Sequence, residues 1–240
     1  MSNYSGFDNL EVMTEAVNYN RFLLGLVKRW APHQQLIVDF GAGIGTFAKA
    51  MVSQGFDVHC IEPDDRQRKH IEDSGLAASA SIDAMTPNSV DYLYSLNVLE
   101  HIEDDQAVLI NIYRSLKPGG AAFFYVPAFN LLYSSMDKKV GHYRRYTKNE
   151  LMQKLHLAQF DVREIRYVDS AGFFASLLYR LIGNPKGEIN PRALITYDKF
   201  IFPLSRCCDV ILQYVFGKNV WAFVQKPLVP NQRVIHGQTI

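Results

Sequence analysis

The stretch that most narrows the possible folds runs from Leu36 to Ala50: an apolar run LIVDF, then GAGIG, then TFAKA. Leu36, Ile37 and Val38 are β-formers bounded by turn residues, which predicts a buried parallel strand of an α/β sheet. Gly41, Gly43 and Gly45 supply a sharp turn and let backbone N–H groups approach a ligand with no Cβ between. Residues 46–53 continue at helical spacing. A strand, a glycine-rich elbow and a helix N-terminus form a receptor for part of a nucleotide-like cofactor at the carboxyl edge of a sheet. The elbow alone does not say which cofactor.

Around it the chain alternates strand and helix. Apolar positions from Val12 to Trp30 recur at helical spacing until Pro32, predicting a helix over about 11–30 that can lie across the cofactor as a lid; residues 1–10 read as a lead-in. Downstream come a strand over Asp57–Ile61, a helix over Asp65–Asp73, a short strand near 80–82 and a strand over Val90–Leu96. A helix capped by Asp104 or Asp105 and closed by Lys117-Pro118-Gly119-Gly120 then leads to a strand over 121–126. This order predicts right-handed crossovers and a parallel sheet. Residues 128–147 form a long connection, and such loops often carry function. A helix at Lys148–Leu157, a strand at Asp161–Val168, three helical patterns and a last strand over 220–225 complete the chain. The expectation is one domain over 1–240, with a helical cap inserted at about 170–217 between two neighbouring strands. Its wide aromatic stripes suit packing on the domain, an apolar substrate pocket or a membrane-surface contact.

A net charge of +1 gives no global field for gathering polyanions, so no nucleic-acid partner is expected. Cys60, Cys207 and Cys208 form no CxxC pair, and no histidine spacing is of the zinc type, so neither a metal site nor a disulfide framework is expected. No signal-peptide pattern opens the sequence and no apolar run reaches the roughly 18–20 residues that span a bilayer. These features predict a cytoplasmic protein, peripheral to a membrane at most.

Two cofactors compete for the elbow. A dinucleotide fold asks for GxGxxG or GxGxxA, which Gly43, Gly45 and Ala48 meet in a shifted register. Yet Asp39 precedes the glycines as D-x-G-x-G-x-G, and an acid closing an apolar strand is costly without partners. Glu62 ends the second strand roughly 20 residues after the turn, where a carboxylate can accept from both ribose hydroxyls. Asp83 follows the third strand, NVLEH the fourth, and LKPGG introduces the fifth. With five motifs in this order, residues 36–127 resemble the class I S-adenosylmethionine-dependent methyltransferases.

The resemblance implies a Rossmann-like, seven-stranded, mostly parallel sheet with its last strand antiparallel, and S-adenosyl-L-methionine as the cofactor. It implies that Asp39, Gly41, Gly43 and Gly45 hold the methionine and ribose portion, Glu62 the ribose, Asp83 and Ala84 the adenine, and that Asn97 lies beside the sulfonium. Tyr19, in YNRF, resembles a tyrosine of the lid helix in related enzymes. A non-catalytic scaffold of the same fold and an NAD-dependent oxidoreductase are the alternatives.

A methyl group on a sulfonium is already activated, so the protein must align the acceptor in line and exclude water. A hydroxyl acceptor also needs a base. His101, just past the fourth strand, is one candidate, its plain reading being a helix-start histidine bonded to backbone or nearby acids. The run VGHYRRYTK supplies His142 with Tyr143, Arg144, Arg145 and Tyr146. A solvated basic loop is its plain reading, but arginine suits bidentate grip on a carboxylate or phosphate. The GHYRRY segment resembles a bacterial methyltransferase subgroup linked to lipid- or saccharide-related substrates. The expectation is O-methylation of such a small molecule, with His101 and His142 catalytic and residues 143–146 holding the acceptor. No Asn-Pro-Pro-Tyr segment follows the fourth strand, which disfavours nucleobase and protein-amide acceptors.

Overall fold

In a computed structural model, which describes residues 12–182 and 190–228, β1 (Leu36–Phe40) lies deep in a seven-stranded sheet. Its parallel neighbours are β2 (Asp57–Ile61) on one side and β4 (Val90–Leu96) on the other. Strand β3 (Ala78–Ser79) pairs beyond β2, and β5 (Leu116–Pro127) beyond β4. The order is β3-β2-β1-β4-β5-β7-β6, with β7 (Asn219–Gln225) antiparallel to both β5 and β6 (Asp161–Val168). The expected seven strands and antiparallel last strand are therefore present. Because the chain winds outward from β1 to β3 and returns to β4, a crevice opens at the carboxyl ends of β1 and β4.

Helices cover both faces, so central strands bury successive side chains on opposite sides. Val38, Leu93 and Phe124 join one core with Leu109 and Ile112 of α4 (Asp105–Ser115) and Leu151 and Leu155 of α6 (Lys148–Leu157). Ile37, Tyr92 and Phe123 join the other with Leu23 and Val27 of α1 (Val17–Lys28) and Ala48 and Met51 of α2 (Thr46–Val52). Helix α3 (Asp65–Asp73) begins on Asp64, whose side chain accepts the Gln67 N–H. The predicted lead-in 1–10 and Glu11 lie outside the described residues.

Three expectations need correction. The third strand is Ala78–Ser79; Ser81 instead accepts the Asp83 N–H and starts a 3-10 turn, Ile82–Ala84. Lys117-Pro118-Gly119-Gly120 does not close α4, which ends at Ser115; it belongs to β5, where Leu116 already pairs with Val90 and the register shifts before Tyr92. Gly119 sits at φ +82°, and a Cβ on Gly120 would meet the Lys117 carbonyl at 2.9 Å, so this pair shapes an irregular strand. Finally, residues 128–147 contain a 3-10 turn, Asn130–Leu132, and a short helix α5 (Ser135–Val140).

Between β6 and β7 stand α7 (Ser170–Ile182), α8 (Pro191–Thr196), a π-helical turn Tyr197–Ile201 and α9 (Phe202–Leu212). Two buried aspartates fasten this segment through helix starts. Asp198 accepts the Asn18 and Tyr19 N–H groups at the start of α1, at 2.9 and 2.8 Å, where Ala16 offers no side-chain cap. Asp209 accepts the Asp169 and Ser170 N–H groups at the start of α7, both at 2.9 Å.

Candidate active site

Backbone conformation fixes the elbow. Gly41, Gly43 and Gly45 all lie in the left-handed region, at φ +77°, +58° and +77°. A Cβ on Gly41 would stand 2.3 Å from Val98 Cγ2, so only glycine brings the elbow this close to the end of β4. Gly43 N–H donates to Glu62 Oε2 at 2.8 Å, and Asp64 N–H to Oε1 at 3.0 Å. Burial raises the Glu62 carboxyl pKa and these two amides oppose the rise. Asp39 is buried beneath the elbow and its pKa is pushed up to about 7 by burial, with the Tyr94 hydroxyl and Ala48 amide beside it.

Above these groups lies a cavity of about 760 Å³. Gly41, Gly43, Glu62 and Asp83 line it from the ends of β1, β2 and β3, and Tyr19 lines it from α1. The cavity and its cradle fit S-adenosyl-L-methionine. A carboxylate offers about four acceptor positions, so Glu62 keeps capacity for ribose hydroxyls while it holds two amides. Asp39, Gly45 and Ala84 do not line the cavity; Gly45 is the N-cap of α2, and Ala84 is exposed on the 3-10 turn. Tyr19 packs edge-on against Phe202, with its hydroxyl 3.3 Å from that of Tyr125.

From β4 onward the wall changes character. Asn97 has φ +56°, donates its N–H to the Tyr125 carbonyl at 2.7 Å, and donates Nδ2–H to Glu100 Oε1 at 3.1 Å. Glu100 is fully buried; its Oε2 has no hydrogen-bond partner, and burial pushes its pKa up to about 7. His101 and His142 meet edge to face at 4.5 Å between ring centres. Burial, then the neighbouring His142, lowers the His101 pKa to about 4, leaving a neutral imidazole near pH 7.

His142 is placed by the short helix before it. The Ser134–Asp137 capping box starts α5, and Gly141, at φ +80°, turns the chain so that His142 Nδ1 comes 2.7 Å from Asp137 Oδ1. Arg145 grips the same carboxylate with Nε at 2.8 Å and Nη2 at 3.1 Å. Burial acts to raise the Asp137 pKa, but His142 and Arg145 hold it well below the usual carboxylate range.

The structure therefore brings His101, His142 and Arg145 to the cavity, but not Tyr143, Arg144 or Tyr146. Arg144 pairs with Asp105 at 2.9 Å, and Tyr146 donates to Asp105 Oδ2 at 2.8 Å, so both bolt the segment to α4. Tyr143 is exposed outside the cavity, and its N–H donates to the Glu100 carbonyl at 2.8 Å. Arg145 lines the cavity with its fork spent on Asp137.

Further polar residues line the cavity, among them Glu100, Asp137, Lys218 and Asn219. Glu100 stands within NVLEH, between the expected Asn97 and His101, and Asp137 carries no local sequence signal. Lys218 and Asn219 enter through the antiparallel placement of β7. Among the described residues the Lys218 ammonium makes no hydrogen bond or ion pair, and burial lowers its pKa.

A family model described as a methyltransferase domain matches residues 16–165. The chain is 31% identical over 110 residues to phosphoethanolamine N-methyltransferase 2 of Caenorhabditis elegans, covering 40% of this chain and 25% of that protein. It is 32% identical over 98 residues to the ubiquinone biosynthesis O-methyltransferase of Pectobacterium carotovorum, covering 37% and 41%. The chain thus spans less than half the length of these curated relatives. Among solved structures, the phosphoethanolamine N-methyltransferase 2 of Haemonchus contortus, in complex with S-adenosyl-L-methionine, shares 23% identity at TM-score 0.59, covering 88% of this chain and 53% of that one. A Haloferax volcanii complex of the Trm112 activator with a methyltransferase matches at TM-score 0.64 and 15% identity, covering 94% and 98%. These two likenesses concern the fold.

Proposed function

The chain belongs to the class I S-adenosylmethionine-dependent methyltransferases, and from that premise we propose that it methylates an oxygen of a small-molecule acceptor bound over β4, β5 and β7. The observation that carries the oxygen is the cluster of Glu100, His101 and His142, which lines the same cavity as Gly41, Gly43 and Glu62. In the proposed step the acceptor hydroxyl loses its proton at this cluster. The oxygen then attacks the methyl carbon in line as the carbon–sulfur bond breaks, giving a methyl ether and S-adenosylhomocysteine. A neutral amine acceptor would need positioning alone, whereas a hydroxyl must give up a proton, which this buried acid–imidazole cluster can receive. Calorimetry is expected to show binding of S-adenosylhomocysteine and none of NADH. Across paired acceptors that differ only in hydroxyl or amine, turnover should appear with the hydroxyl; turnover confined to amines would overturn the reading.

A lipid-related acceptor is supported by the outer face of the 170–217 segment, which falls within the cap expected from sequence. Leu178, Phe200, Leu204, Val210, Ile211 and Val215 are all exposed there. The exposed charges among the described residues of this segment are cations, Arg180, Arg192 and Lys199, while Asp169, Asp198 and Asp209 are buried. An apolar face with cations fits an anionic bilayer surface, whereas two copies meeting face to face would oppose like charges. No helix among the described residues is long and apolar enough to cross a membrane. The protein is expected to sediment with phosphatidylglycerol vesicles, and Leu204→Asp with Ile211→Asp to release it; equal sedimentation of both forms would exclude this face.

A further inference from the structure

We propose that Glu100, His101 and His142 form a binding site for a divalent cation of the zinc class, in the wall of the cavity where the acceptor hydroxyl is received. One ligand atom from each of the three side chains lies within 4.8 Å of the other two. Tetrahedral bonds of about 2.0–2.2 Å place ligand atoms about 3.3–3.6 Å apart, so loading asks the three side chains to close by roughly an ångström.

Two independent features favour a cation over a simple polar cluster. The first is Glu100: it is fully buried, its Oε2 has no partner, and no lysine or arginine among the described residues forms an ion pair with it. Its one charged-pair contact is His142 Nε2, at 3.9 Å from Oε1. Such a buried carboxylate is costly unless a positive charge compensates it, and a cation between Glu100 and the two imidazoles does so.

The second is the hydrogen bonding behind the histidines. His142 faces Asp137 through Nδ1 at 2.7 Å, which directs the Nε2 lone pair toward Glu100. Asp137 is itself clamped by Arg145. A ring nitrogen donating to a fixed carboxylate while the other faces the metal is the usual support of a metal-bound histidine. A His₂Glu set supplies three protein ligands and leaves a fourth position, here facing the cavity.

This role rests on the methyl-transfer reading only for what fills the fourth position. There the cation would bind the acceptor oxygen and lower its pKa, so that in the loaded protein the hydroxyl proton leaves to water, whereas in the metal-free protein it passes to the cluster as proposed above. The bound oxygen then forms the O–C bond while the sulfonium C–S electron pair returns to sulfur. No oxidant or reductant enters the step.

The test uses the full chain, stripped with a chelator, with the exposed Cys207 and Cys208 changed to serine to remove competing thiolates. Titration with Co²⁺, followed by ligand-field absorption, and with Zn²⁺, against a chromogenic chelator, is expected to show one saturable site per chain. Glu100→Gln and His142→Ala should each abolish it, and Asp137→Asn should weaken it by about 10- to 100-fold. Binding of S-adenosylhomocysteine by each variant shows that it is folded. The proposal fails if the parent protein binds neither ion saturably, or if affinity is unchanged in the Glu100 and His142 variants. Full methyl transfer by a metal-free protein would overturn the cation's part in the step while leaving the activity standing. Metal binding without turnover on any acceptor would support the site and count against the activity.

Discussion

Glu62→Ala is expected to lower the affinity for S-adenosylhomocysteine by about 100-fold or more while the protein stays folded. Hydrogen bonds to a charged group are each worth about 1.5–3 kcal/mol, and each 1.4 kcal/mol is tenfold in affinity. Two ribose hydroxyls on one carboxylate therefore exceed that figure before any change in the elbow is counted. The elbow does change, because the same carboxylate receives the Gly43 and Asp64 amides. Removing it leaves the buried Gly43 N–H and the part-buried Asp64 N–H without their acceptor and loosens the turn that approaches the cofactor. Glu62→Gln is expected to lose nearly as much, since its NH₂ must face one of those N–H groups, donor to donor. Calorimetry with S-adenosylhomocysteine, with circular dichroism as the fold control, checks both; a loss under threefold for the alanine variant would show that Glu62 serves only the backbone.

The glycine elbow and the strand end beside it were legible because their determinants are local. LIVDF before three glycines specifies a buried strand and left-handed turns in adjacent residues, and Glu62 closes its own strand. The acceptor half was less so. The run from His142 to Tyr146 reads as a basic patch, yet two buried aspartates from elsewhere decide where each charge goes. Asp105 takes Arg144 and Tyr146, and Asp137 takes His142 and Arg145. Asp137 is near in sequence, but only the capping of α5 and the Gly141 turn aim it at the imidazole. The LKPGG segment misled for a related reason: proline and glycine punctuate helices in isolation, whereas pairing to Val90 and to β7 holds this segment in the sheet. Lys218 reaches the cavity through long-range antiparallel pairing, for which no short motif exists.

Changing His101 and His142 together to alanine is expected to cut kcat on a hydroxyl acceptor by about 100- to 10,000-fold, the range over which positioned proton transfer contributes. Affinity for S-adenosylhomocysteine should move little, because Gly43 and Glu62 are untouched. The fold should survive, since Asp137 keeps its bidentate bond to Arg145 and the Ser134 end of its capping box. Asp137→Asn should produce a smaller loss, as the imidazole remains but its orientation is no longer fixed. Tyr143→Ala, outside the cavity and half exposed, is the control and should leave kcat within a few-fold. The result also separates the two chemistries named among the relatives, a phosphoethanolamine N-methyltransferase and a ubiquinone biosynthesis O-methyltransferase. An amine that arrives neutral attacks with its own lone pair, so the double variant would hardly slow it. A hydroxyl must lose its proton by the time the new bond forms, and the double variant removes both imidazoles that could receive it.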